Sequence, residues 1–283
     1  RGYSGIYMMS GDGEKKKLHT LLKGERSASF ESLHLMQSGI DARNSGLILF
    51  SSKSEEADVL YLYDLHLRRV IKKYEIPGII AINSPHFSPD EKSAVFSGAD
   101  KSGITDLYIV NLEDGTFSRL INDFYNDNDP IFNDTGDSII FASDRCPDGD
   151  EGAVNLFIMG SKGGEPIPLT SGSWRDKTPS IYNGAIYFSS DRDGASNIYR
   201  LNKDGSINKQ TSLLTGAYDP QPSPDGTNIV FSGYQDFGYH IYRAQTTDTI
   251  RLVPDNPKMG KTFWKPGTLD NKYMKSSVQY RTD

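Results

Sequence analysis

Apolar and polar positions alternate over short stretches along the chain. Nothing sustains a 3.6-residue period of useful length, so the elements read as strands. One run recurs. It is rich in branched and aromatic residues, ends in small ones, and appears as "LILFSS", "AVFSG", "IIFASDR", "IYFSSDR" and "IVFSG" around Phe50, Phe96, Phe141, Phe188 and Phe231. These phenylalanines are 46, 45, 47 and 43 residues apart. A second strand with a central aromatic follows each run: "VLYLYD", "DLYIVN", "NLFIMG", "NIYRLN" and "HIYRAQ". Strands with a proline and a turn precede several of them, as in "SPHFSPDEK", "DPIFNDTGD" and "DPQPSPDG", with "TPSIYNG" a shortened relative. Short closing strands are expected at "FSRLI", "PIPLT", "SLLT" and "TIRLV". Four short strands repeating every 43 to 47 residues make a propeller blade, not a solenoid turn.

The ends set the expected count. "SGIYMMSGDGEKKKLHT" matches the third and fourth strands of a unit, with Tyr7 at the aromatic position. "KTFWKPGTLDNKYMKSS" matches a first and second strand, with Trp264 and Met274 in register. The two halves would share one blade, residues 1–22 with 258–280. The expected fold is therefore all-β: one domain over 1–283, a six-bladed β-propeller with four antiparallel strands per blade, closed by joining the two ends so that no strand edge is left open. The first whole blade is the weakest in sequence, because "SLHLMQSGIDARN" replaces the usual turn.

Composition narrows the function classes. The net charge is −6 and the longest basic run is Lys15 to Lys17, which argues against nucleic acid as a partner. No apolar run approaches the length of a membrane helix, so no membrane insertion is expected. The chain opens on Arg1 without a signal peptide, which reads as a processed or truncated edge. Cys146 is the only cysteine, excluding an internal disulfide or a cysteine zinc site, and it reads as a loop thiol.

"SPHFSPDEKSAVFSG", "DPQPSPDGTNIVFSG" and "SSDRDGASNIYRLNKDG" resemble the repeats of the TolB-type, WD40-like propeller family, in register over nearly the whole chain. The resemblance implies a bacterial envelope setting, periplasmic or secreted, and a role in binding partners. Some similar envelope propellers sit beside a peptidase-like domain, which implies docking or substrate gating as an alternative.

Candidate chemistry is sparse. "SDR" at Asp144 and Asp191 recurs with substitutions in other units, as a structural turn does and a catalytic site does not. "SPDG" is explained by hairpin geometry. Gly-x-Ser-x-Gly and His-Glu-x-x-His are absent, and the five histidines are scattered. No cofactor is expected; the loop carrying Asp144, Asp148, Asp150 and Glu151 offers at most a Ca²⁺ site. The connections between units are richer. They carry Phe124, Tyr125, Trp174 and Tyr218 together with Asp127, Asp129, Arg175, Asp176 and Asp219, aromatics among charges of the kind that make binding hot spots. The expectation is a monomeric, non-enzymatic module binding a protein, peptide or glycan on this loop face. The enzymatic alternative is a metal-dependent hydrolase or lyase with Asp127, Asp129 and Asp219 as ligands or bases.

Overall fold

The structure, a computed structural model, describes residues 5–11, 17–23, 39–146, 152–235 and 238–246. Within them lie twenty-one strands, all paired antiparallel to their sequence neighbours in successive sheets. A two-stranded sheet, β1 (Gly5–Ser10) and β2 (Lys17–Lys23), comes first. Blade 1 is β3 (Ile40–Ala42), β4 (Leu47–Ser54), β5 (Ala57–Asp64) and β6 (Arg69–Glu75). Blade 2 is β7 (Ala81–Phe87), β8 (Ser93–Ala99), β9 (Thr105–Asn111) and β10 (Phe117–Arg119). Blade 3 is β11 (Asp127–Phe132), β12 (Ser138–Ser143), β13 (Asn155–Gly160) and β14 (Ile167–Pro168). Blade 4 is β15 (Asp176–Tyr182), β16 (Ala185–Ser190), β17 (Asn197–Leu201) and β18 (Ile207–Lys209). Blade 5 contributes β19 (Ala217–Pro222), β20 (Asn228–Gln235) and β21 (Gly238–Gln245). The architecture is an all-β propeller of four-stranded antiparallel blades, with five blades among the described residues.

The sequence period maps onto this register. Each recurrent phenylalanine stands opposite the aromatic of the next strand: Phe50 and Tyr61, Phe96 and Tyr108, Phe141 and Phe157, Phe188 and Tyr199, Phe231 and Tyr242. Ring centroids lie 5.3 to 6.1 Å apart, within the range where aromatic pairs add to their burial energy. The phenylalanines are fully buried, and the cores between blades form around them.

The proline strands are the innermost ones, and the proline has a specific place. In β7, β11, β15 and β19 the pairing slips at Ser84-Pro85, Asp129-Pro130, Thr178-Pro179 and Asp219-Pro220, so that two residues bulge opposite one on the partner strand. The residue before each proline has φ of 48°, 53°, 49° and 53° respectively. A proline cannot donate to the ladder, and a bulge is where a strand tolerates it.

Two expectations change. The fourth strand of blade 4 is Ile207–Lys209, and "SLLT" belongs to the connection that follows it. The reason is hairpin length: β17 turns back immediately through Asn202–Gly205, pairing Leu201 with Ile207. The expected closing strand "TIRLV" and the half-blade 258–280, with Trp264 and Met274, lie outside the described residues.

Innermost strands of neighbouring blades grip one another through side chains. Asp41 Oδ2 accepts the Phe87 N–H at 2.8 Å while Arg43 Nη2 donates to the Phe87 carbonyl at 2.6 Å. One blade on, His86 Nδ1 accepts the Phe132 N–H at 3.3 Å. Burial, reinforced by the Arg43 charge and opposed by Asp41, pushes the His86 pKa down to about 4. His86 is thus neutral in the fold but takes up a proton near pH 6.5 when unfolded. Its contribution is present in full above pH 6.5 and is lost as pH falls towards 4, up to about 3 kcal/mol. Urea titrations between pH 7 and pH 4 are therefore expected to show wild type losing more stability than His86→Asn, whose amide oxygen can accept the same N–H. Equal pH slopes for the two proteins would refute this role.

Candidate functional site

The two ends of the blades differ in what they carry. One end holds the tight turns joining first to second strands. The other holds the loops after the second strands and the connections that cross to the next blade, and every candidate from the sequence lies on these connections or at the strand starts they feed.

At that end "SDR" proves to be a staple, not simply a turn. In blade 4, Ser190 Oγ accepts from Arg192 Nε at 2.9 Å, and Asp191 Oδ1 accepts the Arg175 N–H at 2.7 Å. Arg192 Nη2 donates to both carboxylate oxygens of Asp176, at 2.9 and 3.0 Å. Blade 3 repeats each part. Ser143 Oγ accepts from Arg145 Nε at 2.8 Å, Asp144 Oδ1 accepts the Asn126 N–H at 2.7 Å, and Arg145 Nη2 donates to both oxygens of Asp127 at 2.7 Å. The aspartates therefore bond backbone of the incoming connection, not of their own turn. Each arginine also lies over its blade's aromatic pair, Arg145 over Phe141 and Phe157, Arg192 over Phe188 and Tyr199. Cation–π contact of this desolvated kind contributes about 2 kcal/mol.

Two of the proposed contact residues are corrected by this arrangement. Asp127 and Asp176 are 0 % exposed, so they hold arginines beneath the surface and do not face a partner. Burial pushes the Asp127 pKa up to about 6 against the pull of Ser143 and Arg145. The carboxylates of Asp106, Asp123 and Asp127 do approach one another closely enough to share an ion. Two guanidinium groups already occupy that space: Arg119 donates to Asp106, and Arg145 lies 3.1 Å from Asp123 as well as bonding Asp127. The arrangement is that of a compensated ionic network. Of the loop offered for Ca²⁺, residues 148, 150 and 151 lie outside the described residues, and Asp144 is engaged with Asn126.

The remaining candidates separate into three groups. Asp129 and Asp219 sit at the proline bulges of the innermost strands. Asp129 bridges blades, accepting from Ser84 Oγ at 2.8 Å and from the Thr178 N–H at 3.2 Å. Asp219 accepts from Ser232 Oγ at 3.3 Å, and desolvation together with the charge of Asp129 raises its pKa. Trp174, Arg175 and Tyr218 are partly structural. Trp174 lies over Arg192, 4.9 Å from ring centre to guanidinium, and its Nε1 donates to Asp176 at 3.3 Å. A side chain at Gly172 would strike the Trp174 ring, and one at Gly216 would strike Tyr218, so each glycine seats its aromatic. Arg175 is exposed but donates to the Gly152 carbonyl at 3.2 Å. Phe124 and Tyr125 are the open ones: Phe124 is 90 % exposed, and Tyr125, with Arg145 against its ring, 46 %.

Two exposed residues were missed. Leu214 is 93 % exposed on the connection into blade 5, and Ile80 is exposed on the connection into blade 2. Both belong to apolar doublets, Leu213-Leu214 and Ile79-Ile80, whose first member is buried. In each doublet one side chain enters the core and its neighbour faces solvent. The apolar doublet itself was the signal available in the sequence.

No family model matches the chain. The Tol-Pal system protein TolB of Francisella tularensis is 29% identical over 187 residues, which is 62% of this chain and 42% of that protein. TolB from Acinetobacter baumannii superposes with a TM-score of 0.63 at 21% identity, over 85% of this chain and 57% of that one. The blades described here are similar to those of TolB-type β-propellers. The putative TolB of Agrobacterium tumefaciens agrees, with a TM-score of 0.65, 20% identity and about four fifths of each chain covered, 81% and 80%. The chain spans less than half the length of the curated TolB relatives it matches.

The loop end thus separates side chains that hold it together from side chains that are free. Phe124→Ser and Leu214→Ser are expected to change unfolding free energy by less than about 0.5 kcal/mol, as for other surface sites. Trp174→Ala, which uncovers the Arg192 pair, is expected to cost about 2 kcal/mol or more. Chemical denaturation of the three variants checks this, and a Phe124 variant as damaging as the Trp174 one would contradict the division.

Proposed function

We propose that this propeller is a non-enzymatic binding module of the bacterial envelope, periplasmic or secreted, that takes a protein or peptide on the loop end of its blades. One observation carries the reading. A fold that buries every recurrent phenylalanine leaves Phe124 at 90 % and Leu214 at 93 % exposed on connections at the same end. Solvent-facing apolar anchors on loops held by hydrogen bonds, the Asn126 N–H to Asp144 near Phe124 and the Leu213 N–H to Asn197 beside Leu214, suit a pre-organised recognition surface, where ordering costs on binding are small. Tyr125, Arg175 and Tyr218 supply a polar and aromatic surround. The setting rests on likeness to TolB, a Tol-Pal system protein, and on the lack, among the described residues, of any helix long and apolar enough to cross a membrane.

In this reading the ring has six blades, residues 258–280 completing the two-stranded sheet of β1 and β2. Asp129 and Asp219 act on the inner wall as structural and electrostatic groups, not as catalysts.

Selection from a random twelve-residue peptide library against the immobilised protein tests the proposal. Peptides enriched on wild type are expected to lose at least tenfold in affinity against Phe124→Ser and against Leu214→Ser. Enriched peptides that bind both variants as well as wild type would place recognition elsewhere. Failure of the library to enrich on wild type over the double variant would remove the reading.

A further inference from the structure

The opposite end of the blades holds a cavity that the loop-face reading does not use. It has a volume of about 550 Å³ and lies between blades 3 and 4. Its walls are Ile140, Ile158, Leu169, Ile181, Ile186 and Leu201.

The cavity has a cause in chain length. Between first and second strands, blades 2, 3 and 5 have turns of five residues, 88–92, 133–137 and 223–227. Blade 4 has two, Asn183 and Gly184, both with positive φ (49° and 73°), the Asn-Gly hairpin geometry. Longer turns close the junctions on either side. Pro89 reaches over Gly136 between blades 2 and 3, where a Cβ would come within 3.1 Å. Tyr182 packs on Gly226 between blades 4 and 5, where a Cβ would come within 2.0 Å. Between blades 3 and 4 the short turn bonds across through the Gly184 N–H to Asp134 Oδ2 at 2.6 Å, and on the aliphatic floor beneath Ile158, Leu169 and Ile181 stay partly exposed.

The rim chooses the charge of an occupant. Asn133 is engaged with Thr135, Asp137 and the Ser138 N–H. Asn202 is engaged with Ser206 and Asn208. Asp134 holds the turn. Lys203 lies across Gly184, close enough that a Cβ there would stand 2.3 Å from its Cε and 3.1 Å from its Nζ. Its ammonium has no ion-pair partner among the described residues. The one uncommitted cation on the rim is therefore a donor set beside an aliphatic cavity.

We propose that this crevice is a second binding site, for an apolar group bearing a single carboxylate: the side chain rests on the aliphatic walls and the carboxylate meets Lys203. A C-terminal apolar residue of a peptide and a free aliphatic acid share that chemistry. The volume accommodates a branched side chain with its carboxylate, and Asp134 across the rim disfavours a second negative charge on the ligand. The site is distinct from the loop face, since none of the residues proposed for that face lines it.

Three probes test it by methyl NMR titration: acetyl-Gly-Gly-Leu with a free carboxylate, the same peptide as its C-terminal amide, and octanoate. Saturable shifts at Ile158, Ile186 and Leu201 methyls are expected with at least one acid, at an affinity at least tenfold above that of the amide. Which acid binds tighter distinguishes peptide from free acid as the source. Lys203→Met, at an exposed turn position that the core does not need, is expected to weaken the acid at least tenfold and to erase the difference between acid and amide. No saturable binding of either acid would overturn the proposal. So would equal binding of acid and amide, or an unchanged affinity in the Lys203 variant.

Discussion

A buried guanidinium–carboxylate pair at the entrance to an innermost strand is the interaction on which the loop end of this propeller depends. A crossing connection arrives from the outer edge of one blade and must begin the next blade at its centre, where it has no strand beside it to set its position. Arg145 on Asp127 and Arg192 on Asp176 fix that starting point, and the Ser and Asp of the same tripeptide hold the arginine and the arriving backbone. A buried ion pair adds little net stability over a packed apolar pair, but removing one partner strands a charge at a cost of about 3–5 kcal/mol. What it gives is a unique geometry. The other blades vary the device: Arg119 comes from β10 to Asp106 and Tyr108, and Lys73 covers Tyr61. In blade 5, where the tripeptide is absent, Gln235 accepts from the Tyr242 hydroxyl.

Once the connections are pinned, the two ends of the blades acquire different characters. The stapled end can hold an apolar residue in water without the loop folding over to hide it, as Phe124 shows. At the turn end blade 4 meets blade 3 through the Gly184 N–H to Asp134 bond, so a hairpin three residues shorter than its neighbours leaves a cavity instead of a rearranged loop.

Much of this was legible in the sequence, because a period near 45 residues and cross-strand aromatics are local facts that survive into the fold. All five aromatic pairs could be read by spacing alone. The proline runs correctly marked innermost strands, although the bulge that accommodates each proline emerges only from pairing. The site was less legible for a definite reason. An aspartate before a strand looks the same whether it faces solvent or an arginine sixteen to eighteen residues away in sequence. Asp127 and Asp176 were therefore read as surface groups, and "SDR" as turn chemistry, when the two observations were halves of one contact. The doublets at Ile79-Ile80 and Leu213-Leu214 were visible as apolar pairs, but which member enters the core emerges only from the fold. "SLLT" misled because its apolar content is real but serves a connection, with Leu213 in the core and Leu214 in water.

The staple itself can be measured by a double-mutant cycle on blade 4. Unfolding free energies of wild type, Arg192→Met, Asp176→Ala and the double variant give the coupling between the two side chains directly. If the pair fixes the entrance to β15, each single variant loses about 3 kcal/mol or more. The double variant then loses little beyond either single, leaving a coupling above about 2 kcal/mol. Single losses that simply add, within about 0.5 kcal/mol, would show two independent side chains and contradict the account.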